Sequence, residues 1–506
     1  MLASGAQHGL RMQPNLRSFS TAVAANAVPA LSEATTSSAG WLSKLFGGSS
    51  RLTVPMTDPL PGIELPAPTP PPAKAPTTET TTLPNGVTIA SEQTLGPTAT
   101  LGLYVNSGSV YESPSETGLS HLLEYMAFKT TSNRTHFRLV REVESIGANV
   151  LASASREQMA YNIDVVKTNV PEALEILVDS VVNPKFVSWE VNAAINKMRE
   201  DIKSVKDNPQ TVLLEGMHEV AYTGGLARPL IVPESALGGL SAGKLADFVA
   251  RNYTAPRIAL AGAGVAQDEL VSLAQPLLEF LPKTGAEPQP KSTYVGGDFR
   301  QAGTDLTHAM LAFEFSGGWN DMKGSVAVTV LQFLLGGGGS FSAGGPGKGM
   351  HSRLYRRVLN ANEWVHNCTA FNSLYNDTGL VGIFISGDCQ GNAQRSAKMI
   401  DILTTELQAV AKGVPAEELE RAKLAAISSV YMNLESRAVV AEDIGRQILT
   451  YGHRKPVPEF VKAIKELTPD SLAKIVAKIL KTPPTVASLG DISNLPRYDA
   501  IAARFR

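Results

Sequence analysis

His121, Glu124 and Tyr125 stand in the run Gly118-Leu119-Ser120-His121-Leu122-Leu123-Glu124-Tyr125-Met126-Ala127-Phe128, spaced as in a hydrolytic zinc site with one ligand exchanged. In an H-x-x-E-H helix two histidines one turn apart hold the metal, and the glutamate before the second activates the bound water. Here the second histidine position is Tyr125. On a helix the three side chains share one face, because positions i, i+3 and i+4 are neighbours. A phenol with a pKa of about 10 replaces a neutral imidazole, which removes a ligand available at neutral pH. This helix is therefore expected to retain no catalytic zinc.

The elements that must position this helix are partly legible. The strand-like run Thr98 to Val105 precedes it, and Leu83-Pro84-Asn85-Gly86-Val87 carries the Asn-Gly hairpin signal. Downstream, Val191, Ile195, Met198, Ile202 and Val205 form the apolar stripe of a helix, with Glu200 off that stripe. Between Pro55 and Pro76 the chain also carries Pro59, Pro61, Pro66, Pro68, Pro70, Pro71 and Pro72, which predicts an extended linker or arm. A second seam, Leu281 to Pro290, is rich in turn formers and lacks periodicity.

The two sides of that seam repeat one another. Leu240-Ser241, Leu245, Phe248, Val249 and Ala250 recur as Leu467-Thr468, Leu472, Ile475, Val476 and Ala477, an offset of 227. Thr254, Pro256 and Gly262 recur as Thr482, Pro484 and Gly490, an offset of 228. Tyr222 with Arg228-Pro229 has a counterpart in Tyr451 with Lys455-Pro456. The expected fold is α+β, with two homologous domains, each a mostly antiparallel sheet with helices packed on one side. The expected boundaries are a transit peptide over 1–19, an arm over 20–80, a first domain over 81–281, a linker over 282–293 and a second domain over 294–506.

Composition narrows the class. A chain of 506 residues with 43% hydrophobic and 18% charged residues has room for two sizeable cores. A net charge of -2 argues against nucleic acid as a partner. No apolar run approaches the roughly 20 residues of a spanning helix, so membrane association is expected only through partners. Cys368 and Cys389 are the only cysteines, which fits a reducing compartment and excludes a cysteine-rich zinc site. The first acid is Glu33, while Arg11 and Arg17 sit among Ser, Ala and Leu, the composition of a mitochondrial transit peptide with cleavage expected after Phe19. The plainer alternative is an acid-poor terminus without a targeting role.

More than half of the run from Gly336 to Gly349 is glycine. A phosphate-binding loop is excluded, because that pattern needs Gly at 342 and Ser or Thr at 349, where Ser342 and Gly349 stand. A segment with so few side chains reads as a mobile loop whose N–H and C=O groups can hold an extended peptide with little regard to its sequence. Its other reading is a tolerated surface insertion. The candidate substrate-binding residues are Gly336, Gly337, Gly338, Gly339, Ser340, Phe341, Gly344, Gly345, Gly347, Lys348 and Gly349.

The run from Gly118 to Lys129 resembles the G-x-x-H-x-x-E-H-M-x-F-K context of the pitrilysin/insulinase-type metallopeptidases. That resemblance implies a third zinc ligand well downstream of the motif, at the spacing where Glu200 stands; Glu200 reads either as that vestigial ligand or as a solvated carboxylate. The vestigial set is then His121, Glu124, Tyr125 and Glu200, with no metal expected. The glycine-rich run, followed by Met350 to Tyr355, Ala370-Phe371-Asn372 and Asp377 to Leu380, is similar to the alpha-subunit family of mitochondrial processing peptidases. The resemblance implies a non-catalytic subunit that recognises presequence peptides beside a catalytic beta subunit, which carries the zinc. In plant-like lineages it also implies a core role on the matrix side of the inner membrane, among other subunits of ubiquinol-cytochrome c reductase. A purely structural core protein of that complex is the alternative.

Overall fold

In the computed structural model, which describes residues 76–283, 289–303, 306–339, 350–389 and 391–506, the Asn85-Gly86 turn joins two antiparallel strands, β1 (Thr78–Thr82) and β2 (Thr88–Glu92). Gly86 takes a φ of 103°, which favours a residue without Cβ. The segment read as a transit peptide lies outside the described residues, as does most of the arm; β1 begins inside that arm's expected end.

The chain continues through β3 (Thr98–Val105), α1 (Leu119–Met126), α2 (His136–Ser145), β4 (Asn149–Ala154) and β5 (Met159–Val166). Three helices follow, α3 (Val170–Val182), α4 (Ser188–Lys206) and α5 (Pro209–Ala221), then β6 (Tyr222–Gly224), α6 (Ala242–Asn252), β7 (Ile258–Ala263) and α7 (Gln267–Leu278). The second half runs through β8 (Ser292–Tyr294), β9 (Gly297–Ala302), β10 (Thr307–Glu314), α8 (Met322–Leu335), β11 (Gly337–Gly339), β12 (Val365–Leu374) and β13 (Gly379–Gly387). It closes with α9 (Ala393–Ala411), α10 (Ala416–Asn433), α11 (Arg437–Tyr451), α12 (Val457–Glu466), α13 (Pro469–Ile479), β14 (Thr485–Gly490) and α14 (Tyr498–Ala502).

Two six-stranded sheets result, ordered β1-β2-β7-β3-β5-β4 and β11-β12-β13-β10-β14-β9. Five strands correspond one to one: β2, β7, β3, β5 and β4 match β9, β14, β10, β13 and β12. In both sheets the pair at one end of this set is parallel (β2 with β7, β9 with β14), and every other pair is antiparallel. The repeated segments fall on α6 with β7 and on α13 with β14, so the offset near 227 marks equivalent elements.

Each sheet packs one face on helices of its own half. Along β7, Ile258 and Leu260 point into that core, while Ala259, Ala261 and Ala263 point to the other face, as strand alternation requires. That other face is covered by a helix of the opposite half. Val440, Ala441, Ile444 and Ile448 of α11 lie on Ala90, Tyr104 and the β7 alanines of the first sheet. In return, Leu213, Met217 and Ala221 of α5 lie on Met310, Ala312, Phe384 and Ala487 of the second sheet. The packing on one side expected from sequence is thus completed on the second side by an exchange of helices.

Both exchanged helices carry a glycine where an aromatic ring presses closest. A Cβ on Gly445 would stand 2.0 Å from Tyr104 Cδ2, and one on Gly216 would stand 2.6 Å from the Phe299 ring. Polar contacts between the halves gather nearby. The Tyr375 hydroxyl is 2.6 Å from His218 Nε2, and Glu157 accepts from the Asn376 N–H at 3.1 Å and from Gln289 Nε2 at 2.7 Å. Burial pushes the Glu157 carboxyl up to about 7.

Candidate functional site

α1 is short, and its start is fixed by a buried carboxylate. The N–H groups of Gly118 and Ser120 donate to Glu112 at 2.8 and 2.7 Å, so Glu112 caps two of the helix's unpaired donors. Burial pushes the Glu112 carboxyl up to about 7, against these two bonds and the Arg228 charge. Gly118 has a φ of 92°, and a Cβ there would meet Val232 Cγ2 at 2.3 Å. The close approach brings the Val232 N–H to His121, whose Nδ1 accepts it at 3.3 Å.

The other two motif side chains are also engaged. Glu124 accepts from the Ala154 N–H on β4 at 3.2 Å. The Tyr125 hydroxyl donates to Asp201 Oδ2 at 2.5 Å, and its ring meets His121 edge-on with centroids 5.3 Å apart. Glu200 points elsewhere, exposed and paired with Lys203 at 3.0 Å. Of the two readings of Glu200, the solvated one describes its place. Asp201, which the sequence reading passed over, is the carboxylate that α4 presents to α1. One helical residue is a rotation of about 100°, enough to separate the two.

This donor set does not fit a catalytic zinc ion. Such a site takes three protein ligands plus water; here there is one imidazole, whose Nδ1 accepts from a backbone N–H, and a carboxylate that accepts a hydrogen bond from a phenol. Among the described residues no group of three or more His, Cys, Asp or Glu is placed to hold a metal ion.

In the second half, α8 leads into the glycine-rich run. Gly336 ends α8 with a φ of 57°, and Gly337 to Gly339 pair antiparallel with Asn367 to Thr369 as the edge strand β11. The Gly337 N–H also donates to Ser352 Oγ at 3.0 Å. A Cβ on Gly337 would stand 1.9 Å from the Cys368 carbonyl oxygen, whereas one on Gly338 would meet nothing within 4 Å. These four glycines are therefore a helix end and a sheet edge, which corrects the expectation of a loop throughout. Ser340, Phe341, Gly344, Gly345, Gly347, Lys348 and Gly349 lie outside the described residues.

Residues 88–234 match the family described as insulinase (peptidase family M16), and residues 239–425 match the peptidase M16 inactive domain. The chain belongs to the insulinase-type M16 peptidase family. Tyr125 is the departure of its M16 motif from H-x-x-E-H. The chain is 52% identical over 479 residues to the probable mitochondrial-processing peptidase subunit alpha-1 of Arabidopsis thaliana, covering 94% of each chain. It is 48% identical to the mitochondrial-processing peptidase subunit alpha of Solanum tuberosum, with 94% of each covered, and 33% identical to that of Bos taurus, with 91% of each covered.

Proposed function

We propose that this M16 chain is the non-catalytic, presequence-recognising subunit of a two-chain mitochondrial processing peptidase, whose catalytic zinc sits on a beta-type partner. The observation that carries the reading is the Tyr125–Asp201 hydrogen bond, which puts a phenol proton where the family motif needs a second imidazole. The names of the relatives support it: at 33 to 52% identity over nearly whole chains they are mitochondrial-processing peptidase alpha subunits. The β11 edge adds to it, since three paired glycines offer backbone groups to an extended peptide while presenting no side chains.

The location that follows is the mitochondrial matrix, peripheral to the inner membrane; no helix among the described residues is long and apolar enough to cross a membrane. The proposed domain limits are 81–281 and 294–506, joined by 282–293, with β1 (Thr78–Thr82) and β8 (Ser292–Tyr294) crossing two of those limits. A core role in ubiquinol-cytochrome c reductase extends this reading, and mass spectrometry of the native digitonin-solubilised complex tests it by the partners that comigrate.

The presequence reading is tested by deleting residues 340–349, which leaves β11 in place. The pair reconstituted with the deleted chain should assemble but bind presequence peptide more weakly and turn it over more slowly. Unchanged affinity and turnover would leave the loop an inert insertion and favour the purely structural core role.

A further inference from the structure

Helices α4 and α10 are equivalents: their starts, Ser188 and Ala416, keep the offset of the repeat, and each leads into the exchanged helix of its half. Their outward ridges follow the same 3-4-3-4 spacing. On α4 the ridge reads Trp189, Asn192, Asn196, Arg199, Lys203; on α10 it reads Glu417, Glu420, Leu424, Ile427, Tyr431. The α4 ridge ends in polar and basic residues, as a solvated face does. The α10 ridge ends in apolar ones: Leu424, Tyr431 and the adjacent Met432 are 66, 53 and 60% exposed, and no charged residue occurs from Leu424 to Asn433. The inner face of α10 packs through Leu419, Ala422, Ala426 and Val430, and the half-buried Ile427 leans on the same core, so the apolar residues that the fold does not need are Leu424, Tyr431 and Met432.

The geometry points to the α10 ridge as a docking site for the helical, basic amphipathic part of a presequence. This rests on the presequence reading above and names a second contact for the same substrate. Two features favour that occupant. The ridge begins with carboxylates at Glu417 and Glu420, 86 and 63% exposed at the side chain, passes about one turn later to Leu424 and reaches Tyr431 about two turns beyond that. An acid-poor amphipathic helix with Arg beside Leu and Phe is the complement of that order. Glu417 pairs with Arg421, an exposed pair of a kind that is weak and exchanges readily for an incoming cation, while Glu420 keeps an exposed carboxylate although its partner Lys423 is buried. Secondly, Met, Leu and Tyr make an adaptable surface, suited to ligands that share amphipathicity rather than sequence. In the first turn of α10, beside Glu417, Glu418 accepts from Arg353 Nε at 2.8 Å.

The test uses the full chain reconstituted with its beta-type partner, and as probe a fluorescent peptide of residues 1–32 of this chain, whose Arg11 and Arg17 stand in an acid-free context. The double variant Leu424→Ser, Tyr431→Ser should weaken peptide binding about tenfold or more. Glu417→Gln with Glu420→Gln should weaken it roughly threefold at low salt, with the difference vanishing at high salt. All four positions are exposed, so the fold should survive. Unchanged affinity in both variants overturns the proposal, and loss of pairing with peptide affinity retained would assign the ridge to the partner chain instead. A wild-type pair that binds no peptide would overturn the presequence reading itself.

Discussion

The ends of α1 and α8 occupy equivalent places in the two halves, and they differ in how far side chains hold the chain beyond them. Each helix follows a corresponding strand, β3 or β10, and each is left through a residue of positive φ, Phe128 at 56° and Gly336 at 57°. Beyond α1 the chain is held by a short backbone bridge to residues 183–185 and by many side chains: Thr130 to Glu190, Thr131 to Asp179, and Arg134 to Glu142, Glu175 and Asp179. Beyond α8 it is held by the backbone ladder of β11 on β12 and by one serine. The first arrangement fixes particular side chains, as a metal site demands, and it persists although the histidine is gone. The second fixes only main chain, which suits a ligand recognised by its extended backbone.

Substitutions can break this contrast. Gly337→Ala forces a Cβ onto the Cys368 carbonyl at a φ of 102° and should cost about 3 kcal/mol or more, detaching β11. Thermal unfolding, together with hydrogen exchange at Asn367 to Thr369, reads both effects. Gly445→Ala should cost about 3 kcal/mol because the Tyr104 ring it strikes is fully buried, whereas Gly216→Ala should cost less because Phe299 is only partly buried and can shift. Equal Tm shifts for the two would mean that the helix exchange is not limited by these contacts.

At α1, Tyr125→Phe should cost about 2 kcal/mol by leaving the Asp201 carboxylate without its phenol donor. Tyr125→His should raise zinc affinity, measurable by titration calorimetry, without necessarily giving cleavage. Gly338→Ala should cost only about 1 kcal/mol, since its Cβ enters open space and only the backbone angle resists.

A pH dependence is also expected. Glu112 and Glu157 hold their protons up to about 7 in the folded chain, against 4.5 when hydrated. The folded state therefore binds more protons in this window, and stability present below pH 4.5 declines as pH rises through 7. Glu157→Gln should flatten part of that decline in denaturation midpoints recorded from pH 5 to 8. An unaltered slope would exclude Glu157 as a source.

Much of this architecture was legible in sequence. The Asn85-Gly86 hairpin, the strand over 98–105 and the repeat across the seam all rest on local turn chemistry or periodicity, and all three appear in the fold. The exchange of α5 and α11 was not legible, because an apolar stripe says that a helix face is buried but not against which sheet. The family spacing left Glu200 open as a vestigial ligand or a solvated carboxylate, and a spacing cannot choose between them because it does not carry the rotation of the helix that turns Asp201, not Glu200, toward Tyr125. β11 was hidden by composition: glycine has little intrinsic preference for a strand, and only the pairing with β12 makes one.

The central claim is that this chain recognises presequences and leaves cleavage to a partner. It is tested most directly by zinc content and presequence cleavage measured on the purified chain alone, on the purified beta-type partner alone and on the reconstituted pair. The account predicts zinc well below one per chain and no cleavage for this chain alone, with about one zinc and cleavage for the pair. Stoichiometric zinc together with cleavage by this chain in isolation would contradict it.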